Sequence, residues 1–302
     1  MRSVLIGAVE SSEVALRTMT AAGWKPDLVV TLPPERQGRH SDFVDLSEDA
    51  GRLDIPICHS ANINDEGTLQ RLEALAPDYI FVIGWSQICG PRFLEVAARG
   101  TIGYHPAPLP QMRGRAVIPW TILKRETRSG STLFWIDAGM DTGPILAQHL
   151  FDLGSDETAA SLYRKHMQAL AAMLPEALDA LLLTSPPKRA QDHARATYCA
   201  RRRPADGLID WQKPADDVLL LIRAVGTPYP GAFTSYRDSK LTVFDARPAV
   251  DGHRYIGLPG QIQAVDAERL VVCCGDGQCL ELIEWSLADG RLPSLHDKLG
   301  AV

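Results

Sequence analysis

Apolar runs of strand length alternate with segments of helical periodicity through the first part of the chain. The apolar runs lie at residues 3–7, 28–32 and 79–83, and the helical segments lie at 13–22, 67–76 and 91–98. A strand, a helix and a second strand in succession form the unit of a parallel sheet with helices on both faces. The pattern therefore predicts an α/β domain built on a Rossmann-like, mostly parallel sheet.

The pattern changes in the second half of the chain. A long amphipathic segment at 157–183 predicts a closing helix, which the Ser-Pro-Pro at 185–187 ends. Beyond a further helix at 214–225, short β-rich runs are broken by Gly and Asp, which is typical of a small barrel-like domain. We therefore expect an α/β domain at 1–185, a linker at 186–203 and a β-rich C-terminal domain at 204–302.

The expected linker is rich in basic residues. Asp192 is its only acidic residue, beside one lysine and five arginines. In most proteins such a run is a solvated connector, and the alternative is a contact with an anion or a nucleic acid. The sequence leaves both interpretations open.

Composition narrows the class of protein. With 45% hydrophobic and 23% charged residues and no apolar run near the length of a membrane span, we expect a soluble chain without a membrane partner. Its first residues lack the long apolar segment of a secretory signal, which predicts a cytoplasmic location. A net charge of -6 provides no general attraction for nucleic acid. The oligomeric state stays open, with a dimer as one candidate.

Three of the six cysteines flank a turn near the C-terminus. Cys273, Cys274 and Cys279 surround the Gly-Asp-Gly at 275–277 between two apolar runs, which is typical of a β-hairpin. A zinc site is the alternative, but no His or second pair of Cys lies nearby in the sequence to complete four ligands. We therefore expect buried thiols and no metal.

One histidine stands where an α/β sheet places its ligand site. Such sheets bind ligands beyond the carboxyl ends of their strands, and both residues 84–87 and the segment around His105 follow apolar runs. The Pro-rich residues 106–110 restrict the backbone after His105, so the ring can be held in one place. An imidazole can relay a proton, and a carboxylate beside it sets its tautomer and favours its charged form. Asp141 is the candidate carboxylate, and a structural His with a turn Asp is the alternative.

Several segments of this chain resemble the folate-dependent formyltransferases. They are residues 103–116 (GYHPAPLPQMRGRA), 140–145 (MDTGPI), 203–211 (RPADGLIDW), 222–224 (IRA) and 229–233 (YPGAF). The family includes methionyl-tRNA formyltransferase and the amino-sugar N-formyltransferases, and the resemblance covers both expected domains. It implies an enzyme that uses 10-formyltetrahydrofolate, with residues 1–185 as the catalytic domain. It also implies that His105 is the proton shuttle and that Asp141, at the family's spacing from it, orients and charges the ring.

The same resemblance implies where the folate binds. Its pterin is expected against two segments and to be recognised largely through backbone groups. The residues of these segments are Trp85, Ser86, Gln87, Ile88, Ile136, Asp137, Ala138 and Gly139. Arg113 is expected to hold the folate or the substrate as a planar donor, with a loop ion pair as the alternative. For Trp85 the alternative is core packing.

One residue departs from the family pattern. The family has an Asn two residues before the His, which donates a hydrogen bond to the developing oxyanion, and this chain has Gly103 there. Losing one such donor costs about 10²–10³ in rate. If transfer is retained, we expect Gln87, Gln111 or a backbone N–H to replace the missing donor.

The acceptor amine is expected to be small. Residues 113–120 are more similar to the sugar enzymes of the family than to the tRNA enzymes, and the loop 33–49 carries acidic residues as densely as basic ones. A tRNA-binding insertion should be basic, since phosphate contacts provide most of the affinity. We therefore favour a nucleotide-linked amino sugar as the acceptor. The alternatives are a methionyl-tRNA formyltransferase and a folate-binding protein with lost or altered acyl transfer.

Overall fold

The structure, a computed structural model, describes residues 1–39, 42–266, 269–288, 290 and 292–300. The expectations for the loop 33–49 and for the C-terminal domain therefore include a few residues outside the described part. The chain divides into two compact units. The first contains residues 1–117, 127–153 and 163–200, and the second contains residues 118–126, 154–162 and 201–302.

The helices and strands up to residue 200 follow the predicted alternation. They are β1 (Ser3–Ile6), α1 (Glu10–Ala21), β2 (Leu28–Thr31), α2 (Ser47–Arg52), β3 (Ile57–His59), α3 (Glu66–Leu75), β4 (Tyr79–Val82), α4 (Pro91–Val96), β5 (Gly100–His105), β6 (Arg113–Gly114), α5 (Val117–Leu123), β7 (Arg128–Trp135), β8 (Ile145–Asp152), α6 (Ala159–Leu181) and β9 (Tyr198–Cys199). The strands and helices predicted from periodicity are confirmed within a few residues. Helix α2 and strand β3 were not predicted, because six and three residues are too short to show a period.

A seven-stranded sheet forms the centre of the first unit. Its strand order is β3-β2-β1-β4-β5-β7-β8. The first five strands in this order are parallel, which confirms the mostly parallel sheet, and β7 and β8 are antiparallel to their neighbours. The β7–β8 pair was not predicted, because β7 begins with the polar run Arg-Ser-Gly-Ser-Thr and shows neither an apolar run nor an alternation of polar and apolar residues.

Successive side chains of the sheet point into two different cores. Leu5 packs with residues of α1 and α6, whereas Val4 and Ile6 pack with residues of α3 and α4. Strand β5 continues this alternation, so Tyr104 points toward the α1 and α6 side and its neighbour His105 points toward the other side. The two faces of one strand therefore have different surroundings.

Beyond residue 200, the described residues of the second unit form one α-helix and five strands. They are α7 (Ala215–Val225), β10 (Ala232–Tyr236), β11 (Ser239–Pro248), β12 (Ile262–Val265), β13 (Leu270–Cys273) and β14 (Cys279–Leu287). The strands form an antiparallel sheet in the order β10-β11-β14-β13-β12, which confirms a small β-rich C-terminal domain.

The cysteine-flanked turn is a hairpin, as predicted. Cys273 of β13 pairs with Cys279 of β14, and both thiols are buried and free, as is Cys274. Within the described residues, no group of three or more His, Cys, Asp or Glu is arranged to hold a metal ion. No helix in the described part of the chain is long and apolar enough to span a bilayer.

Candidate active site

His105 is the last residue of β5 and is only 6% exposed. Its Nε2 atom lies 2.8 Å from the carbonyl oxygen of Met112. Because a carbonyl oxygen only accepts hydrogen bonds, Nε2 carries a proton and donates it to this bond. The second ring nitrogen, Nδ1, is therefore the atom that can exchange a proton.

Asp141 faces this second nitrogen. The distance between His105 Nδ1 and Asp141 Oδ2 is 3.8 Å, which is too long for a direct hydrogen bond but short enough to stabilise a positive charge on the ring. The same Oδ2 accepts a hydrogen bond of 2.8 Å from the N–H of Gly114. The structure thus brings the two predicted catalytic residues together, with a small gap between ring and carboxylate.

The backbone around the pair is held in left-handed conformations. The φ angle is 58° at Met112, 55° at Asp141 and 100° at Gly114. Non-glycine residues in this region cost on the order of 1–3 kcal/mol, and they cluster at functional sites. At Gly114 a Cβ atom would lie 2.5 Å from the carbonyl oxygen of Cys199, so only glycine allows β6 to approach β9 this closely.

Residues 197–199 hold the segment that follows His105. Met112 N–H donates to Thr197 Oγ1 at 2.8 Å, Arg113 N–H donates to the Thr197 carbonyl at 2.9 Å, and Arg115 N–H donates to the Cys199 carbonyl at 3.1 Å. The Met112 carbonyl that binds the His105 ring is therefore fixed by a part of the chain that was predicted to be linker. Residues 186–200 cluster with the first unit.

Arg113 is fully buried, and its guanidinium binds protein groups. It donates to Gln191 Oε1 at 2.6 and 3.2 Å, to Tyr198 Oη at 3.2 Å and to His193 Nδ1 at 3.1 Å. None of these partners is a carboxylate, so the contact is not the loop ion pair that was considered as an alternative. The role expected for Arg113 in holding the folate or the substrate stays a prediction.

Gln87 holds the loop that follows β4. Its side chain accepts from Ile63 N–H at 3.2 Å and donates to the Ala61 carbonyl at 2.6 Å. The amide therefore shapes this loop, while its nitrogen carries a second proton. That Gln87 supplies the missing oxyanion donor or contacts the folate stays a prediction.

Trp85 is half-buried and packs against the same core as Ile136, so the two segments predicted to contact the folate lie on the His105 side of the sheet. Its Nε1 is buried and has no hydrogen-bond partner among the described residues. Ser86 and Ile88 beside it are exposed. A pterin ring combines a flat surface with nitrogen and oxygen acceptors, which fits a buried donor beside an exposed apolar side chain.

The second segment forms a tight turn after β7. Asp137 Oδ1 accepts from Gly139 N–H at 3.0 Å and from Thr142 Oγ1 at 2.6 Å. Asp137, Ala138 and Gly139 are exposed, so their backbone groups can reach a ligand. The turn is followed closely by Asp141, so this expected folate segment lies next to the candidate catalytic pair in the chain.

The position of the missing Asn is filled with apolar side chains. A Cβ atom at Gly103 would lie 2.8 Å from Ile136 Cγ1 and 2.9 Å from Phe134 Cε1. Any side chain there would force one of these neighbours to move. The space that family members give to an amide donor is therefore closed in this chain.

A second histidine lies behind the strand and was not predicted. His166 of α6 is fully buried, with Nδ1 2.9 Å from Ser131 Oγ, which is itself 3.0 Å from Tyr104 Oη. Burial, helped by the charge of His105, lowers the pKa of His166 to about 3. Burial also raises the pKa of Tyr104. Both groups are neutral at ordinary pH, and helical periodicity alone could not separate His166 from a surface residue.

The chain thus has an α/β domain with a candidate active site at the carboxyl end of a central strand, followed by a small β-rich domain. Residues 29–178 match the family model described as formyl transferase, and residues 202–299 match the model described as formyl transferase, C-terminal domain. The chain belongs to the formyl transferase family, and the resemblance carried by its motifs is confirmed.

Solved structures of three kinds share the fold. HypX from Aquifex aeolicus in complex with tetrahydrofolic acid has a TM-score of 0.69 and 18% identity over 93% of this chain. An N-formyltransferase from Helicobacter canadensis with folinic acid and dTDP-3-aminofucose has a TM-score of 0.65 and 18% identity, and 94% of this chain matches 99% of that one. Methionyl-tRNA formyltransferase from Clostridium thermocellum has a TM-score of 0.59 and 19% identity, with 82% and 94% covered. This chain spans only 43% of the HypX chain.

Proposed function

We propose that this chain is an N-formyltransferase that moves the formyl group of 10-formyltetrahydrofolate to the amine of a small acceptor, a nucleotide-linked amino sugar. The observation that carries the proposal is the His105–Asp141 pair at the end of a central strand. The pair has one ring nitrogen fixed and the other facing a carboxylate across a 3.8 Å gap.

The pair is suited to moving a proton between two nitrogen atoms. Bound 10-formyltetrahydrofolate would supply an electrophilic formyl carbon for attack by the acceptor amine. His105 Nδ1 would take the proton that the attacking amine loses and return it to the leaving nitrogen. Asp141 would stabilise the imidazolium formed between these steps, and Gly114 N–H keeps its Oδ2 in place. Near burial of the ring excludes most water from this exchange.

The loop at 85–88 and the turn at 136–139 support the folate part of the proposal. Trp85 Nε1 is a buried donor without a partner among the described residues, and the turn presents exposed backbone groups. The similar structures from Aquifex aeolicus and Helicobacter canadensis contain a reduced folate. We therefore place the pterin against these two segments.

A small acceptor is favoured over tRNA on charge. The net charge of the chain is -6, whereas binding to a polyanion draws most of its affinity from cationic contacts with phosphates. The structure from Helicobacter canadensis, which contains dTDP-3-aminofucose, matches nearly the full length of both chains. The match to methionyl-tRNA formyltransferase keeps the tRNA alternative open.

One observation favours a second candidate function. Ile136 and Phe134 close the position where the family has its oxyanion donor. A site without this donor fits a protein that binds folate but whose acyl transfer is lost or altered.

The test is a transfer assay with three classes of acceptor. Purified protein is mixed with 10-formyltetrahydrofolate and either nucleotide-linked amino sugars, the same sugars without the nucleotide, or initiator methionyl-tRNA. Release of tetrahydrofolate is followed by absorbance, and formylated products are identified by mass spectrometry. We expect formylation of a nucleotide-linked amino sugar.

The other outcomes distinguish the alternatives. Formylation of the tRNA, with binding that weakens steeply as salt is raised, would replace the small acceptor by tRNA. Folate binding in calorimetry without transfer to any acceptor would favour the folate-binding protein. If the protein neither binds folate nor transfers a formyl group, the proposal is refuted and only the fold assignment remains.

A further inference from the structure

Gln191 connects the two loops that carry the candidate catalytic pair. Its Oε1 accepts from Arg113 Nη2 at 2.6 Å and from Arg113 Nε at 3.2 Å. Its Nε2 donates to the carbonyl oxygens of Asp141 at 2.9 Å and Gly143 at 2.7 Å. One side chain therefore joins the strand after Met112 to the backbone of the residue that faces His105.

The amide of Gln191 can adopt only one orientation. A guanidinium only donates hydrogen bonds and a backbone carbonyl only accepts them. If the amide oxygen and nitrogen were exchanged, a donor would face the Arg113 donors and an acceptor would face the carbonyl oxygens. Gln191 is 6% exposed and Arg113 is fully buried, so water has little access to replace a lost partner. Gln191 uses its amide oxygen and both amide hydrogens within the protein, so the contact is an internal network and not a surface hydrogen bond.

This network fixes the backbone from which the Asp141 carboxylate projects. Asp141 has a φ of 55°, a conformation that an isolated Asp adopts rarely and that its surroundings must impose. Gly114 N–H holds the carboxylate itself, whereas Gln191 holds the main chain of Asp141 and Gly143. Two adjacent residues therefore hold Asp141. Gly114 bonds its carboxylate directly, and Arg113 reaches its backbone through Gln191.

We infer that Gln191 is a positioning residue for formyl transfer, which sets the distance between Asp141 and the His105 ring by donating to the backbone around Asp141. The inference rests on the proposed function. It predicts that the donor capacity of Gln191 matters, beyond the partner that it offers to Arg113.

Two substitutions separate these roles. Gln191→Glu keeps an acceptor for Arg113 and strengthens that contact by charge, but it cannot donate to the Asp141 and Gly143 carbonyls. Gln191→Met has a similar shape and removes both contacts. We expect both variants to lower kcat by about 10- to 100-fold, as is typical when a group that orients an active residue is lost, with little change in the Kd for folinic acid.

Gln148→Met is the matched control. Gln148 also donates from a part-buried amide, to the Leu109 carbonyl and Thr132 Oγ1 at 2.9 Å each, but it does not contact Asp141 or Gly143. We expect this variant to lose a similar amount of thermal stability and to keep its kcat within a small factor. If Gln191→Glu keeps the wild-type kcat, or if Gln148→Met loses as much kcat as the Gln191 variants, the positioning role is refuted.

A double substitution tests whether Gln191 acts through Asp141. Once Asp141→Asn has removed the carboxylate, its position no longer matters, so adding Gln191→Glu should lower kcat by less than about threefold further. If the kcat of the double variant falls by the product of the two single-variant losses, Gln191 has a general structural role and the inference is overturned.

A spectroscopic measurement decides the question without any acceptor. The ¹⁵N chemical shifts of the His105 ring report which nitrogen carries a proton and what it faces. We expect Asp141→Asn and Gln191→Glu to change the Nδ1 signal in the same direction, and Gln148→Met to leave it unchanged. If wild-type protein transfers no formyl group but shows this pattern, the proposed function fails and the positioning role stands. An unchanged Nδ1 signal in Gln191→Glu, with a folded protein, contradicts the inference.

Discussion

The two faces of strand β5 carry histidines in contrasting environments. Behind the strand, His166 is fully buried among neutral hydroxyl groups, and burial lowers its pKa to about 3. In front, His105 has a carboxylate 3.8 Å from one nitrogen and a backbone carbonyl at the other. Burial away from any carboxylate disfavours the charged form of a histidine, whereas a carboxylate beside the ring opposes that effect. Only the front face therefore has the arrangement that the proposed proton transfer needs.

Substitution of the two histidines should give the largest contrast. Because His105 is the proposed proton carrier, His105→Ala is expected to reduce formyl transfer by at least about 10²-fold, at the lower end of what general acid–base catalysis contributes. His166→Leu removes a neutral buried ring and is expected to retain most of the activity. Single-turnover transfer, with circular dichroism to check folding, measures both. If the two variants lose formyl transfer to a similar extent, the two faces of the strand do not differ in function.

Asp141→Asn should have a smaller effect than His105→Ala. The amide preserves the shape of the side chain and can still accept from Gly114 N–H, but it no longer stabilises charge on the ring. We expect kcat to fall by about 10²-fold or somewhat less, with an unchanged Kd for folinic acid. A rise in KM at constant kcat would show that Asp141 binds a substrate and does not act through His105.

The closed space at Gly103 sharpens the same comparison. Gly103→Asn would introduce the amide that the family has at this position, and the sequence leaves open whether activity rises. The structure argues against a gain, because the new Cβ would contact Ile136 and Phe134 at 2.8 and 2.9 Å. Overpacking of this kind costs about 1–3 kcal/mol, so we expect reduced stability and no increase in transfer.

Gly67→Asn is the control for this substitution. A Cβ atom at Gly67 would point into open space, so this position should tolerate the side chain with little change in the urea midpoint. A Gly103→Asn protein as stable as Gly67→Asn, with faster transfer, would show that Ile136 moves aside and that the missing donor limits the rate.

The smallest expected effect is a pH dependence of stability that originates at His166. Its pKa is about 3 in the folded protein and near 6.5 when exposed in the unfolded chain. The unfolded state therefore binds the extra proton as the pH falls below about 6.5, and the free energy of unfolding decreases by up to about 1.4 kcal/mol per pH unit. Above about pH 7 this contribution is constant.

Urea unfolding at several pH values measures this contribution. We expect the free energy of unfolding of the wild type to fall between about pH 7 and pH 5, and His166→Leu to reduce the slope. Parallel pH profiles for the two proteins would mean that other groups dominate and that His166 can be protonated in the folded state.

The sequence predicted the parts of this structure that depend on local pattern. The strands 3–6 and 79–82 are apolar runs, the helix at 159–181 has a clear helical period, and the motifs around His105 and Asp141 identified the pair that the structure brings together. Strand β7 begins with Arg-Ser-Gly-Ser-Thr and so shows neither an apolar run nor an alternation.

The hydrogen-bond partners of Arg113 and Gln87 could not be predicted in the same way. Both are polar residues in motif-bearing loops, where exposure and ligand contact are reasonable expectations. Their actual partners lie far away in the sequence, as Gln191 does for Arg113, and depend on how the chain returns to the site. Such contacts have no periodic signature.

The pairing of β6 with β9 has a consequence for the order in which the site is completed. The hydrogen bond between Met112 and Thr197 joins residues 85 positions apart, so both catalytic candidates leave the ribosome well before the strand that secures them. Chains are synthesised at about 5–20 residues per second, and domains generally fold as units as they emerge. The nascent chain can form its central sheet early, while the catalytic geometry matures only after residue 199 has been made.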